Sequence, residues 1–192
     1  NHKSHNLKFF EVGNTYIYNK EKWDAENPIK GYTQEGHISL LITGKRVEGN
    51  WAHADEQSSI YELKAVVENI LRRVGMPANN IVIKHSDNNI FSKGVQYETR
   101  AGKVLVELGI LSLKLKKAFD IEQDVFYADV HWDNLMKAIK KVNLTYTDIS
   151  KYPSVSRDLA LLVDKSVQFE QIEQIARQTE KKLLKAQAQP AY

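Results

Sequence analysis

The chain has 192 residues and is 42% hydrophobic, enough to bury a core and too apolar for a disordered segment. Its 27 basic and 24 acidic residues leave a net charge of +3, an excess too small to define a nucleic-acid binder, so any RNA contact must come from a local patch. Cysteine is absent, which excludes a disulfide framework and a thiolate zinc site; with no apolar run near the roughly 18–20 residues of a membrane span and no signal-peptide centre in NHKSHNLKFF, the chain reads as cytosolic and soluble.

Leu7 to Tyr18, LKFFEVGNTYIY, mixes aromatic and β-branched residues around Gly13 and Asn14, which predicts two strand pieces joined at a tight turn or bulge. The polar NKEKWDAENPIKGYTQEG, with Pro28 and Gly31, reads as a loop. HISLLITG, His37 to Gly44, is a short apolar run closed by glycine and predicts a buried strand. Ile60, Leu63, Val66, Val67, Ile70, Leu71 and Val74 then recur at helical spacing, with Ser58 or Ser59 to cap the start and Gly75 to end the helix. IVIK (81–84), VQYETR (95–100) and KVLVELGIL (103–111) follow as strands, with Gly102 at a hairpin turn. SLKLKKAF reads as a short helix, VFYADVHW (125–132) as another strand, and Asp133 as the N-cap of NLMKAIKK. Strands dominate and helices are interspersed irregularly, so the class is α+β with a mostly antiparallel sheet flanked by helices.

A linker, VNLTYTDISKYPS, separates residues 1–145 from a second unit over 146–192. Pro153 biases Tyr152 toward an extended conformation and marks the entry to a strand, VSRDLALLVD. The helix that follows carries an apolar stripe of Val167, Phe169, Ile172, Ile175, Ala176, Leu183 and Leu184.

Motifs for chemistry are sparse. No segment has closely spaced glycines between a strand and a helix, a Gly-x-Ser-x-Gly elbow, a His-Glu-x-x-His pair or EF-hand spacing. His53, Asp55 and Glu56 place three metal-ligand types in one loop, but HADEQSS equally fits a solvated loop entering a helix N-terminus, where acidic residues suit the dipole, and the residues favour that plainer role. His85 and Asp87 fit a polar turn better than a site, and Glu107, in an apolar strand, is expected to face solvent or pair with a neighbouring Lys or Arg. Arg157 and Asp158, adjacent in a strand, would point to opposite faces; Arg157 suits a phosphate, a base or a structural ion pair. Arg177, Lys181, Lys182 and Lys185 form a basic end on the last helix, a candidate RNA contact or a complement to the helix C-terminus.

YPSVSRDLALLVD, Tyr152 to Asp164, resembles the opening strand of the ferredoxin-like anticodon-binding domain of the bacterial phenylalanyl-tRNA synthetase beta subunit, whose pattern runs Phe/Tyr-Pro-x-Val-x-Arg-Asp-Leu-Ala. Upstream, NLKFFEVGNTYIY is similar to that family's FE-x-G strand, ISLLITG and Trp51 to its next strand and tryptophan loop, IYELKAVVENILRRVG to its core helix, and VELGIL to its IGELHP strand. FSKGVQYE stands where the family has HPG-x-x-A, and no His-Pro follows the glycine of VELGIL.

The resemblance implies a class II synthetase-like core over 1–145 that has lost its chemistry, followed over 146–192 by the first β-α unit of a ferredoxin-like domain, whose β-α-β-β-α-β order the chain does not complete. Catalytic class II domains carry an Arg in a Phe-Arg-x-Glu strand and a later Gly-rich segment ending in Arg; Phe9, Phe10 and Glu11 keep the frame without the Arg, and ELGILSLKLKKAF has none. Adenylate formation depends on cations placed around phosphates, so the resemblance implies no catalytic residue and no cofactor here. ATP and magnesium would serve the holoenzyme, a heterotetramer of two alpha and two beta subunits that charges tRNA with phenylalanine. Arg157, Arg177, Lys181 and Lys182 are then the candidate tRNA contacts, with no metal site and no membrane partner. Two rivals remain: a free-standing metal-dependent enzyme using the His53, Asp55 and Glu56 loop, and a small-ligand regulatory module.

Overall fold

The computed structural model describes residues 4–140, 142, 146, 148, 151–167, 169–180, 183 and 184. The chain divides into two units, Asn1–Thr145 and Tyr146–Tyr192.

In the first unit the chain order is β1 (Leu7–Tyr18), β2 (Tyr32–Thr43), β3 (Lys45–Val47), β4 (Glu56–Gln57), α1 (Ile60–Arg73), β5 (Ile81–His85), β6 (Phe91–Thr99), β7 (Val104–Leu111), α2 (Leu113–Ala118), β8 (Val125–His131) and α3 (Trp132–Ile139). Six strands form one sheet in the order β1-β2-β8-β7-β6-β5, with every neighbouring pair antiparallel, and β3 and β4 form a separate small ribbon. The class is therefore α+β with an antiparallel sheet, as the pattern of short strands predicts.

The core lies on one face of this sheet. Leu63, Val67 and Leu71 recur every four residues along α1, so they share one stripe, and all three are buried with Leu40, Ile42, Leu108, Ala128 and Val130. Each of the Leu, Ile and Val side chains contributes about 1.5–3 kcal/mol by leaving water. Ser59 occupies the N-cap position of α1, but its side chain makes no capping bond. The other end closes through Gly75 at φ 83, with the Gly75 amide donating to the Arg72 carbonyl and the Met76 amide to that of Leu71. Gly109 has a different reason: a Cβ there would lie 2.5 Å from the Lys93 carbonyl oxygen and 2.8 Å from Gly94 Cα, so its absence lets β6 and β7 approach.

The sequence pattern predicts neither the β3–β4 ribbon nor the start of β6 at Phe91, and three further elements differ from the expectation. β1 is one continuous strand, in unbroken register with β2 from Leu7 opposite Thr43 to Tyr18 opposite Tyr32, so Gly13 and Asn14 form no turn or bulge. β2 accordingly starts at Tyr32, inside the stretch read as loop, because pairing along a long neighbour overrides local polarity. α3 begins at Trp132 with His131 at its N-cap position; Asp133 instead lies in the first turn, where its carboxylate accepts from the Gly36 amide at 2.8 Å.

In the second unit the expected strand over VSRDLALLVD is absent. Residues 153–164 are irregular and exposed, and the regular element is the helix α4 (Phe169–Thr179). A strand satisfies its backbone donors and acceptors only through a neighbour, and among the described residues none pairs with this segment. Asp164 anchors a turn ahead of the helix, accepting from the Ser166 amide at 2.9 Å and hydroxyl at 2.7 Å, and these bonds hold its carboxyl below the usual range. Of the expected β-α unit, the described residues form the helix alone.

Candidate functional site

Side chains alternate across a strand, so the residues of β2 and β8 between the buried ones face away from the helices. That opposite face carries a polar row formed by direct register partners across all six strands: Lys84 opposite Gln96, Gln96 opposite Glu107, Glu107 opposite Asp129, Asp129 opposite Ser39, and Ser39 opposite Glu11. Lys84 closes on Glu98 at 2.6 Å and holds that carboxyl below its usual range against the burial that raises it. Glu107 accepts from the Ser86 hydroxyl at 3.1 Å and from Asn88 Nδ2 at 3.4 Å. Ser39 and Tyr127 share a hydroxyl hydrogen bond at 3.1 Å, and burial pushes the Tyr127 hydroxyl up.

Two register positions further along, on the same face, His37 of β2 faces His131 of β8, with ring centroids 4.8 Å apart. His37 Nδ1 lies 2.9 and 3.1 Å from the two carboxylate oxygens of Asp129. An ionised carboxylate only accepts, so Nδ1 is the donor there and Nε2 is left free to face Glu35, 4.0 Å away. His131 Nε2 is buried without a hydrogen-bond partner, and the Glu107 carboxylate stands 4.0 Å from it. The open face is anionic: Glu11, Glu35, Glu107 and Asp129 share it with two imidazoles.

The residues singled out in the sequence lie elsewhere. In the HADE loop, Asp55 pairs with Lys45 at 2.9 Å, which holds its carboxyl below the usual range, and Glu56 pairs with Arg46 at 3.0 Å. His53 is exposed beside them, and the loop's carboxylates are occupied by cations of the neighbouring β3. His85 is the last residue of β5, opposite Val95, and Asp87 lies in the connection to β6, so the expected polar turn begins only after them; both are exposed, with His85 Nε2 3.9 Å from the Asp87 carboxylate. Glu107 departs from expectation: its side chain is largely buried, its neighbours are Ser86, Asn88 and His131, and among the described residues it pairs with no Lys or Arg. Arg157 and Asp158 are exposed in the irregular segment, so no strand sets them on opposite faces. Arg177 binds Glu173 through Nε and Nη2 at 2.9 and 2.8 Å. Lys181 and Lys182 lie outside the described residues.

Sequence reasoning missed Glu35, His37, Asp129 and His131. Their local signal is the alternation of polar residues in E-x-H-x-S and Y-x-D-x-H, which marks one strand face without saying which strand it meets.

Residues 1–132 match the family model described as the phenylalanyl tRNA synthetase beta chain CLM domain, and residues 150–188 match the ferredoxin-fold anticodon binding domain. The phenylalanine–tRNA ligase beta subunit of Bacteroides thetaiotaomicron is 50% identical over 185 residues, spanning 96% of this chain and 23% of the relative. The beta subunit of Porphyromonas gingivalis is 41% identical over 189 residues, spanning 95% of this chain and 23% of the relative. The chain therefore spans less than a quarter of the length of these relatives. The solved structure of a pyrrolysyl tRNA synthetase, Desulfitobacterium hafniense PylSc, overlaps 70% of this chain and 42% of its own with TM-score 0.45 and 13% identity.

Proposed function

This chain belongs to the family of the phenylalanyl tRNA synthetase beta chain CLM domain, and on that premise we propose that it is a non-catalytic part of the beta subunit of phenylalanine–tRNA ligase. It supports ATP-dependent charging of tRNA with phenylalanine by assembling with the alpha subunit and helping to place the tRNA.

The observation that carries this reading is the charge of the open sheet face. Adenylate formation needs cations arranged around the phosphates. Here the face offers the carboxylates Glu11, Glu35, Glu107 and Asp129, while Lys84 is closed on Glu98. Such a surface repels a polyphosphate, so these residues do not fit ATP with magnesium. Both then belong to the holoenzyme's alpha subunit, in a cytoplasmic assembly of two alpha and two beta chains.

Assembly is supported by β1, the outer strand of the sheet. Phe10, Val12 and Tyr16 alternate along one of its faces and are 76%, 68% and 66% exposed. A long outer strand carrying an apolar stripe is a surface that soluble proteins cover with a partner. Residues 146–192 contribute the start of the anticodon-binding domain, with Arg157, Arg177, Lys181 and Lys182 as its tRNA contacts. The rival enzyme reading loses its ligands to Lys45 and Arg46.

The test has two readouts on the full chain. Amino-acid-dependent ATP–pyrophosphate exchange should be absent without the alpha subunit and appear in the mixed complex; robust exchange by the chain alone would sink the proposal. Co-elution with the alpha subunit should be lost in a Phe10→Lys, Val12→Lys variant that keeps its far-UV circular dichroism, and undiminished assembly would remove β1 from the interface.

A further inference from the structure

The imidazole pair on the open sheet face carries an inference independent of that functional reading. We infer that Glu35, His37 and His131 form a binding site for one divalent transition-metal ion of the zinc class. One ligand atom from each of these residues lies within 4.8 Å of the others, and the described residues contain no second such group. Bonds of about 2.0–2.1 Å in a tetrahedral site place ligand atoms roughly 3.4 Å apart, so the three need to close by up to about 1.4 Å. Glu35 has a side chain 46% exposed and free to make most of that movement, whereas the histidines are fixed by the β2–β8 register.

The surroundings favour an ion more than an ordinary polar cluster. Asp129 takes the Nδ1–H of His37 with both oxygens in reach, which fixes the tautomer and turns the Nε2 lone pair toward Glu35. This is the outer carboxylate that metal-bound histidines commonly require, and it raises the basicity of the ligating nitrogen. His131 Nε2 is buried with no hydrogen-bond partner, an arrangement that demands a further group. The adjacent Glu107 is already held by Ser86 and Asn88, so its carboxylate adds negative field without moving in. Glu35, Asp129 and Glu107 surround the two imidazoles with carboxylates, and Lys103 and Lys137 reach only the cleft that Glu35 and His131 share, so a dication at the imidazoles meets a locally negative field.

Chemistry selects the ion. Two imidazoles with one carboxylate suit zinc and its neighbours, while magnesium and calcium require mostly oxygen ligands. Three protein ligands leave a fourth position for water or a small anion, and two of the three, Glu35 and His131, also line an adjoining cleft of about 130 Å³ that His37 does not reach and that Lys103 and Lys137 border.

The test uses the full chain with zinc chloride, followed by calorimetry, and with cobalt chloride, followed by visible absorption. The expected result is one ion per chain with a cobalt d–d band of a low-coordinate site. His37→Gln and His131→Gln should each weaken uptake at least about 100-fold, and Asp129→Asn about 10–100-fold by loosening the outer shell. His53→Ala should leave uptake intact, and urea midpoints of all variants measured without metal identify any that fail to fold. His37→Asn and Glu35→Gln replace a variant that unfolds. Absence of saturable uptake below about 100 μM zinc, or uptake that persists unchanged in folded histidine variants, overturns the assignment.

Discussion

VLVELGIL, the sequence of β7, and LALLVD, near the end of the irregular segment 153–164, are both mostly apolar. The first lies between β6 and β8 with Leu105, Val106 and Leu108 buried. The second leaves Leu159, Leu161 and Leu162 exposed, with Leu162 at 105%. The difference is the neighbour. β7 is hydrogen-bonded along both edges, and its apolar residues meet a layer of helices; residues 153–164 have no ladder among the described residues. Apolar composition states what a segment can bury, and strand formation requires something to pair with.

Deleting equivalent methyl groups in the two regions should have very unequal effects. Leu63→Ala, at a site with no exposure against β7 and β8, should cost about 2–5 kcal/mol because it removes buried area and leaves a cavity. Leu162→Ala should change the urea unfolding free energy by no more than about 0.5 kcal/mol, as surface substitutions do. A Leu162→Ala effect as large as that of Leu63→Ala would mean that the second segment is packed in solution.

The same contrast explains what was legible in the sequence. α1 could be read nearly to the residue, because its apolar spacing, its serine start and Gly75 are all local signals. β5, β7 and β8 followed from apolar alternation and the turn at Gly102. The first five residues of β2 could not be read, because Tyr32–Gly36 is polar and becomes strand only through its twelve-residue partner. The Glu35, His37 and His131 group was invisible for a related reason: the two histidines are ninety-odd residues apart and meet only through the β2–β8 register. The HADE loop, by contrast, showed its carboxylates plainly and hid Lys45 and Arg46, which the β3–β4 ribbon brings across to them. The terminal motif identified its family without forming the strand that the family pattern implies.

Acid titration separates long-range from local electrostatics in the two regions. The Glu98 carboxyl is lowered from 4.5 chiefly by Lys84, which joins β5 to β6. A carboxyl lowered on folding stabilises the folded state above its unfolded pKa, and that contribution is lost as pH falls through the lowered folded value. Lys84→Met should therefore reduce stability at pH 7 and flatten its loss between pH 7 and pH 3. Asp164 is also lowered, but by Ser166 two residues away, so its protonation releases only a turn. Asp164→Asn should leave the pH slope of urea unfolding unchanged, and a flattening equal to that of Lys84→Met would show that the second unit is coupled to the global transition.

The smallest expected effect concerns α4, whose described ion pair is local. Glu173 precedes Arg177 by four residues, the favourable orientation along a helix dipole, but the Arg177 side chain is 52% exposed and the pair is screened by solvent. Arg177→Ala should lower helix stability by only about 0.3–0.5 kcal/mol, read as faster amide exchange in the last turn of α4. The same pair sharpens the proposed RNA role, because the guanidinium cannot serve Glu173 and a phosphate equally well. If Arg177 contacts tRNA, Arg177→Ala should weaken binding and reduce the salt slope by about 1, whereas Glu173→Ala, which releases the guanidinium, should strengthen binding. Equal helix destabilisation by both variants with no opposite change in tRNA affinity would assign Arg177 to the helix alone.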